Sequence, residues 1–295
     1  MTAVPRVDAA AVRRTLRAAG LKARSSMSQN FLVDPDVLEA ILAEAAPGPG
    51  RHVLEIGPGL GFLTRGLLEA GAEVTAVELD RGLAAFLAED LAAAIEGGQL
   101  SLIQGDALDL DLNRLAPEPY DAVANIPYHI TSPILHRLLG EVPRPERLVL
   151  MVQREVAERI AAPPGQMSYL SVFVQYHAKV EIAFVVPPSS FEPAPAVDSA
   201  VIVLEPYATD DRLPDAEAED HLWRLVQAAF RERRKMLHNV LTRQLPLEPA
   251  RVDAALAAAG IAPDRRPQTV AVGEWLKLLG ALGEIGPDQR GRKHA

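Results

Sequence analysis

The sequence of 295 residues contains no cysteine. This absence excludes disulfide bonds, thiolate nucleophiles, iron–sulfur clusters and cysteine zinc sites. The seven histidines are scattered without the spacing of metal ligands, so no metal site is expected. No apolar run approaches the roughly 18 residues that a transmembrane helix needs, and no membrane span is expected. The first residues lack the apolar stretch of a secretory signal, so a cytoplasmic location is expected.

Acidic residues outnumber basic ones, and the formal net charge of −9 at first disfavours a nucleic-acid partner. Binding to a polyanion, however, depends on where the cations lie rather than on their total. Residues 1–30 and 231–243 carry net charges of +5 and +4, which leaves −18 for the rest of the chain. Each basic segment is either an RNA-binding surface or a solvated helix face, and charge alone does not separate the two.

Short apolar segments alternate with segments of helical periodicity in the first part of the chain. Strands are predicted at 52–56, 73–78, 100–104, 120–124 and 147–152, with helices between them and one running to about residue 160. This alternation predicts a parallel, doubly wound sheet. Helices are also predicted at 8–19 and from Asp34-Pro35-Asp36 onward, ahead of the sheet.

The later part of the chain changes character. A helix is predicted at 169–177, followed by two late strands at 181–186 and 200–204. Residues 207–219 are acidic and predict a linker, after which helices are predicted at 219–230, 231–243, 248–259 and 272–282. We therefore expect a catalytic α/β domain over residues 1–206 and a small all-helical domain over residues 207–295.

The first strand runs into a glycine loop, Gly57-Pro58-Gly59-Leu60-Gly61. Glycines let a backbone turn sharply and approach a ligand closely. Phe62 stands where a dinucleotide fingerprint requires glycine or alanine. Glu55 and Pro58 also fit poorly with a pyrophosphate site. A negative field at this loop would instead favour a cation such as a sulfonium.

Three further strands end in polar residues, Glu78, Asp106 and Asn125. Ligands of open parallel sheets bind outside the carboxyl ends of the strands. The carboxylate of Glu78 can accept both hydroxyls of a ribose, and that of Asp106 can accept an adenine amino group. Each acid alone also fits a solvated helix cap. Their succession predicts a site for a ribonucleoside with a positively charged tail, which suits S-adenosylmethionine.

The segment Asn125-Ile126-Pro127-Tyr128 follows the fourth strand directly and resembles the motif of adenine-N6 methyltransferases. The exocyclic amine of adenine is a poor nucleophile because its lone pair is delocalised into the ring. The Asn125 side-chain oxygen and the Ile126 carbonyl can accept its two hydrogens, and Pro127 fixes the backbone. Tyr128 can stack on the extruded base. In isolation the segment also fits a plain turn with a buried tyrosine.

A longer set of motifs resembles the KsgA/RsmA family of small-subunit ribosomal RNA adenine dimethyltransferases. The segments that carry the resemblance are Gln29–Leu32, Glu55–Gly61, Asn125–Pro133, Phe191–Val201 and Arg231–Leu237. It implies a Rossmann-like S-adenosylmethionine-dependent methyltransferase sheet with a small C-terminal all-helical domain. It also implies transfer of two methyl groups to N6 of each of two adjacent adenines in a hairpin near the 3′ end of 16S rRNA, with a role in ribosome biogenesis.

The resemblance also assigns residues, with S-adenosyl-L-methionine as cofactor. The implied cofactor contacts are Gln29, Asn30, Leu32, Gly57, Gly59, Glu78, Asp106 and Asn125. The first three are implied to form a strap over the methionine end of the cofactor, where the residue pattern alone predicts only a lead-in to a helix. The implied catalytic residues are Asn125, Ile126, Pro127, Tyr128 and Phe191.

Some of these assignments leave alternatives open. Phe191 is either a second aromatic contact for the target base or a core anchor. Asp198 and Ser199 are expected to shape the proline-rich loop rather than to react. His129 stands where the family usually has asparagine, and we expect a capping or solvent-facing role rather than a general base. Met27 and Ser28 also depart from the family pattern and could loosen the strap.

The expected partner is 16S rRNA within the immature small ribosomal subunit, bound by a monomer. The expected phosphate contacts are Arg231, Arg233, Arg234 and Lys235. Two other functions remain open. One is a resistance-type adenine-N6 methyltransferase acting on 23S rRNA, which shares the core motif. The other is a mainly non-catalytic assembly factor of the small subunit that uses the cofactor only as a ligand.

Overall fold

The computed structural model describes residues 9–23, 29–208 and 216–285. Basic residues Arg6 and Arg24 and the departures at Met27 and Ser28 lie outside these ranges. The chain forms two compact units, the first made of residues 1–158 and 177–206 and the second of residues 159–176 and 207–295. The domain division expected at residue 206 differs from this grouping at residues 159–176, because their side chains pack with the C-terminal helices.

The first unit is built on a seven-stranded sheet with the order β4-β3-β2-β5-β6-β9-β7. Its strands are β2 His52–Ile56, β3 Glu73–Glu78, β4 Leu100–Gln104, β5 Tyr120–Asn125, β6 Leu148–Gln153, β7 Ala178–Val186 and β9 Ser199–Pro206. β9 lies between β6 and β7 and is antiparallel to both. The parallel arrangement predicted from the first five strands is found in β2 to β6, and β9, whose direction the residue pattern did not indicate, makes the whole sheet mixed. The chain leaves β7 and returns beside it through a loop, which requires no crossover.

Helices of the first unit include α1 Ala9–Ala18, α2 Pro35–Ala45, α3 Phe62–Glu69, α4 Arg81–Asp90, α5 Ala92–Glu96 and α6 Thr131–Gly140. α7 Arg154–Ile160 continues from β6 and crosses the boundary between the units. The helix predicted at 81–95 is divided at Leu91. α2 starts where predicted, since the Asp34 carboxylate accepts hydrogen bonds from the N–H groups of Asp36 and Val37.

Apolar residues of the strands and helices form the core of the first unit. Val53, Val74, Val123 and Val149 from neighbouring strands pack with Leu67 of α3. The burial of these side chains supplies the main driving force for folding of this unit. The buried strands therefore hold their carboxyl ends, where the polar residues lie, in fixed positions.

A second, two-stranded sheet was not predicted from the residue pattern. β1 Phe31–Leu32 pairs antiparallel with β8 Phe191–Glu192, so that Leu32 lies opposite Phe191. Arg13 of α1 forms an ion pair with Glu192 at 2.9 Å. The segment before α2, the proline-rich loop and α1 therefore form one connected layer of the first unit.

The second unit is helical, with α8 Tyr169–His177 followed by α9 Ala216–Phe230, α10 Leu237–Gln244, α11 Pro249–Ala259 and α12 Val272–Leu282. Its core includes Leu225, Leu256, Trp275 and Leu278, all nearly inaccessible to solvent. In the described ranges, no helix is both long and apolar enough to cross a membrane.

The helix predicted at 231–243 begins only at Leu237. Residues 231–236 form turns, with the Lys235 N–H donating to the Glu232 carbonyl at 2.8 Å. This short segment contributes four positive charges and presents no apolar side chain to the core before Leu237. Like charges three or four positions apart destabilise a helix. This repulsion explains why the helix predicted from residue 231 begins only at Leu237.

Candidate active site

The carboxyl ends of β2, β3, β4 and β5 open onto a single cavity of about 260 Å³. The sequence-predicted residues that line it are Gln29, Asn30, Leu32, Gly57, Gly59, Glu78, Asp106, Asn125, Ile126, Pro127 and Tyr128. Phe191 is not among them. The structure therefore brings together residues from five separate segments of the first unit, as expected for a ligand site at the strand ends.

The glycine loop brings its backbone against the cavity in a conformation that other residues rarely adopt. Gly57 and Gly59 have φ angles of 71° and 60°. A Cβ at Gly59 would lie 3.2 Å from the ring of Phe31, while its N–H donates to Glu78 Oε2 at 3.0 Å. Glycine at position 59 thus lets the loop, the strap and the strand-end carboxylate approach one another.

Glu78 is buried and well anchored at the end of β3. Its Oε2 accepts from Gly59, and its Oε1 accepts from the N–H of Asp80 at 2.8 Å. Burial raises the pKa of the Glu78 carboxyl, and these backbone hydrogen bonds oppose that shift. Each carboxylate oxygen has a further lone pair, so Glu78 can still accept two hydroxyl hydrogens from a ligand.

Glu55 lies in β2 beneath the glycine loop and is only 1% exposed. Burial raises its pKa to about 8; the Thr64 hydroxyl partly offsets this shift and the nearby Glu78 carboxylate adds to it. Glu55 is therefore mostly protonated at neutral pH. The depth of this burial cannot be read from the motif alone.

Asn125 ends β5, and its side chain contacts the strap. Its Nδ2 donates to the backbone carbonyl of Asn30 at 3.3 Å. A carbonyl oxygen can only accept, so this contact requires the nitrogen of the amide to face Asn30. The Asn125 Oδ1 is thereby assigned the role of acceptor on the other side of the amide.

Asp106 lies in the loop after β4, and its Oδ1 accepts from the Leu108 N–H at 2.8 Å. The guanidinium of Arg137, in α6, donates to the carbonyls of Ala107 and Leu108 in the same loop. Sequence reasoning missed Arg137, because a single arginine on a helix face gives no signal of its partners. It fixes the loop that presents Asp106 to the cavity.

The segment after Asn125 is held in place by backbone contacts. Ile126 is buried and donates its N–H to the Met151 carbonyl at 3.1 Å. Pro127 has φ −54° and precedes a single 3-10 turn, Tyr128–Ile130. The Tyr128 hydroxyl lies 2.7 Å from Ser199 Oγ. Burial raises the pKa of the Tyr128 phenol, so this residue of the cavity lining is uncharged at neutral pH.

Of two other predicted residues of the first unit, Phe191 lies away from the cavity and His129 lies at it. Phe191 is 3% exposed and packs in the main core cluster. Its position supports the alternative of a core anchor rather than a contact for the target base. His129 is exposed and lines the rim of the cavity, which fits the expected solvent-facing position.

The predicted phosphate contacts Arg231, Arg233, Arg234 and Lys235 all lie in the second unit and are exposed. Arg233 also donates to the Gln166 carbonyl at 3.4 Å. In the neighbouring α10, Arg243 forms an ion pair with Glu232 at 3.3 Å. Three arginines and a lysine in one exposed turn form a surface suited to a polyanion.

A model of the ribosomal RNA adenine dimethylase family matches residues 20–282 of the sequence. The chain belongs to the ribosomal RNA adenine dimethylase family. The matched residues cover both units, and they include every predicted site residue.

Relatives of this dimethylase extend over nearly its whole length. It is 44% identical to the ribosomal RNA small subunit methyltransferase A of Anaeromyxobacter dehalogenans (strain 2CP-C), over 89% of this chain and 94% of that protein. It is 45% identical to the protein of the same name from Synechococcus sp. (strain RCC307), over 89% of this chain and 97% of that protein.

Two solved structures resemble the dimethylase in fold. A dimethyladenosine transferase from Plasmodium falciparum is 27% identical with a TM-score of 0.72, covering 84% of this chain and 95% of that chain. The 23S rRNA methyltransferase ErmE is 32% identical with a TM-score of 0.68, covering 86% of this chain and 99% of that chain. The expected Rossmann-like methyltransferase fold is confirmed.

The dimethylase uses S-adenosylmethionine as its methyl donor, and the residues of the cavity fit this cofactor. Glu78 retains free lone pairs for ribose hydroxyls, and Asp106 retains an oxygen for an adenine amino group. Glu55 is part of the lining of the same cavity, and its buried Oε2 has no hydrogen-bond partner among the described residues. The expected enzyme class and cofactor are thus confirmed.

Proposed function

We propose that this chain transfers two methyl groups to N6 of each of two adjacent adenines in a hairpin near the 3′ end of 16S rRNA. The relatives at 44% and 45% identity bear the name ribosomal RNA small subunit methyltransferase A. One structural observation carries the chemistry: the Asn125–Tyr128 segment lines the same cavity as Glu78 and Asp106. This shared lining supports a binding site for the target adenine next to the binding site for the cofactor.

Asn125 and Ile126 activate the target amine in this proposal. The Nδ2 of Asn125 is engaged by the Asn30 carbonyl, which leaves Oδ1 to accept one amine hydrogen. The Ile126 carbonyl accepts the other, with Pro127 fixing the backbone that carries it. Accepting both hydrogens draws the nitrogen toward tetrahedral geometry and makes its lone pair available.

Tyr128 holds the extruded adenine by stacking, and the rest of catalysis is positioning. When bound, S-adenosylmethionine supplies an electrophilic methyl group. No general base is required, because the methylated amine is acidic enough to lose its proton to water. His129, which is exposed at the rim, therefore has no catalytic role in this proposal.

The remaining predicted residues hold the cofactor. Glu78 accepts the ribose hydroxyls, and Asp106 accepts the adenine amino group. Gln29, Asn30 and Leu32 cover the methionine end. Gln29 is tied to the start of α4 through a hydrogen bond of 3.4 Å from its Nε2 to Oδ2 of Asp80, the residue that caps this helix. The pairing of β1 with β8 keeps Leu32 over the cavity.

The exposed cluster of Arg231, Arg233, Arg234 and Lys235 contacts RNA phosphates in this proposal. The substrate is 16S rRNA within an immature small subunit, and the enzyme acts as a monomer in the cytoplasm. The charge of this cluster supports the RNA partner. The names of the relatives support the small subunit.

Two alternatives have weaker support. A 23S rRNA substrate fits the similarity to ErmE, which is 32% identical, but the relatives named for the small subunit are more similar. A purely non-catalytic assembly factor would not need the Asn125–Tyr128 segment at the cofactor cavity. That these four residues line the cavity supports a catalytic role.

The test is transfer of radiolabelled methyl groups from S-adenosylmethionine to immature 30S particles, with naked 23S rRNA offered in parallel. We expect label in N6,N6-dimethyladenosine of 16S rRNA only, and none with the Asn125→Ala variant. Label in 23S rRNA would favour the resistance-type alternative. Cofactor binding without any label in either RNA would refute the proposed activity.

A further inference from the structure

We propose that Ser199 is a positioning residue for methyl transfer, because its hydroxyl fixes the orientation of the Tyr128 ring on which the target adenine stacks. This inference rests on the proposed function and extends it by one residue. Ser199 is far from the Asn125–Tyr128 motif in sequence, and it does not line the cavity. It would act through Tyr128 rather than by touching the substrate.

Ser199 is held more firmly than the residue it contacts. It is the first residue of β9, opposite Gln153 in β6 and opposite Val186 in β7. It is completely buried. The preceding residue, Asp198, accepts a hydrogen bond from the Arg154 N–H at 3.0 Å through its carbonyl. The hydroxyl therefore projects from a strand that is paired on both sides.

Tyr128 has little local support by comparison. It begins the short 3-10 segment Tyr128–Ile130. There the Ile130 N–H donates to the Pro127 carbonyl at 3.0 Å, and the Thr131 hydroxyl donates to the Tyr128 carbonyl at 3.2 Å. Both contacts fix the backbone and neither fixes the ring. The hydrogen bond of 2.7 Å to Ser199 joins the outer end of the ring to the sheet.

The backbone contacts hold the Cα end of Tyr128 and Ser199 holds its hydroxyl, so the ring cannot rotate about χ1 without breaking the hydrogen bond to Ser199. A base stacked on Tyr128 lies parallel to its ring. The orientation of the ring therefore determines whether the target amine lies within reach of Asn125 Oδ1 and the Ile126 carbonyl. Phe191, the other predicted aromatic contact, is packed in the core and does not line the cavity. The orientation of the base therefore depends on Tyr128.

The experiment uses the full chain with its S-adenosylmethionine and immature 30S particles, and it measures single-turnover methylation. Ser199→Ala is expected to slow methyl transfer by about 3- to 10-fold, the effect of one ordinary hydrogen bond, while the KM for S-adenosylmethionine stays unchanged. Tyr128→Phe should slow it equally. The double variant should be no slower than either single variant, because both remove the same contact.

Two further measurements separate positioning from a general loss of stability. Ser171→Ala is a matched control, since Ser171 is also fully buried and its hydroxyl donates to the Arg159 carbonyl, but in the second unit. It should leave the methylation rate unchanged. In RNA carrying 2-aminopurine at the target position, stacking on Tyr128 should quench fluorescence in the wild type and less so in Ser199→Ala.

The outcomes discriminate between this inference and the proposed function. A wild-type methylation rate for Ser199→Ala would overturn the positioning role. So would a double variant slowed by the product of the two single effects. If Tyr128→Ala were still impaired, the proposed function would stand. A Tyr128→Ala variant with the wild-type rate would instead show that the ring does not hold the base, and it would remove both. An equal slowing by Ser171→Ala would also overturn the inference, since the effect would then follow stability.

Discussion

Replacing Glu78 by glutamine tests the proposal that this carboxylate accepts the ribose hydroxyls of the cofactor. In the native protein one carboxylate oxygen accepts from Gly59 at 3.0 Å and the other from Asp80 at 2.8 Å. A glutamine side chain has nearly the same size but only one acceptor oxygen. Its amide nitrogen would face a backbone N–H, so one of the two donors must lose its partner.

The expected magnitudes follow from this geometry. A buried N–H without a partner costs about 1–3 kcal/mol, so the free energy of unfolding should fall by about that amount. A hydroxyl of the ligand ribose also loses a charge-assisted hydrogen bond worth about 1.5–3 kcal/mol. Since about 1.4 kcal/mol corresponds to a factor of ten, the Kd for S-adenosylhomocysteine should rise by about 10- to 100-fold.

Isothermal titration calorimetry with S-adenosylhomocysteine and urea unfolding measure the two effects. Glu73→Gln is the matched control, because Glu73 begins the same strand with a side chain that is 55% exposed and pairs with His52 at 3.4 Å. That surface pair contributes at most about 1 kcal/mol. If Glu78→Gln bound the product as tightly as Glu73→Gln does, Glu78 would not be the ribose acceptor.

Three further changes probe the neighbouring groups. The pKa of Glu55 is about 8 in the folded state against 4.5 unfolded, so its contribution to stability is present at low pH and is lost as the pH rises between these values. Between pH 5 and 8 the free energy of unfolding of the wild type should therefore fall by on the order of 3 kcal/mol more than that of Glu55→Gln, as measured by urea titrations. Identical pH profiles of the two proteins would contradict the burial argument. Arg137→Ala removes the donor to the Ala107 and Leu108 carbonyls. The affinity for S-adenosylhomocysteine, measured by calorimetry, should fall about fivefold. Unchanged binding would show that the Asp106 loop keeps its conformation without Arg137. Reversing the charge of Arg233 and Arg234 should lower by about two units the slope of the logarithm of RNA affinity against the logarithm of salt concentration. Charge reversal of the exposed Arg114 is the control and should leave this slope unaltered. Equal slopes in both variants would show that the cluster does not contact RNA phosphates.

Most of the residues that line the cavity could be predicted because their signals are local. Each strand of the parallel part is a short apolar segment, and the residue that follows it must lie at the carboxyl edge of the sheet. The strand pattern therefore predicts that Glu78, Asp106 and Asn125 lie at one edge, and all three line the cavity.

Features that depend on distant parts of the chain were not predicted. β1 and β8 have two residues each and lie some 160 positions apart, so neither has a periodic pattern of its own. The direction of β9 depends on which neighbours it joins, and its apolar residues fit either direction. The protonation of Glu55 depends on complete burial, which a motif containing a glutamate does not indicate.

The same distinction explains why reactive groups are easier to find in a sequence than the residues that hold them. In the proposed function, the Asn125–Tyr128 segment supplies both the acceptors for the target amine and the ring that stacks on the base, and these requirements fall on four consecutive residues that form a recognisable motif. A supporting contact needs only some donor or acceptor at the right place, as the Asn30 carbonyl supplies for Asn125 and Arg137 for the Asp106 loop. Any of several residue types can fill such a position, so only the folded structure identifies it.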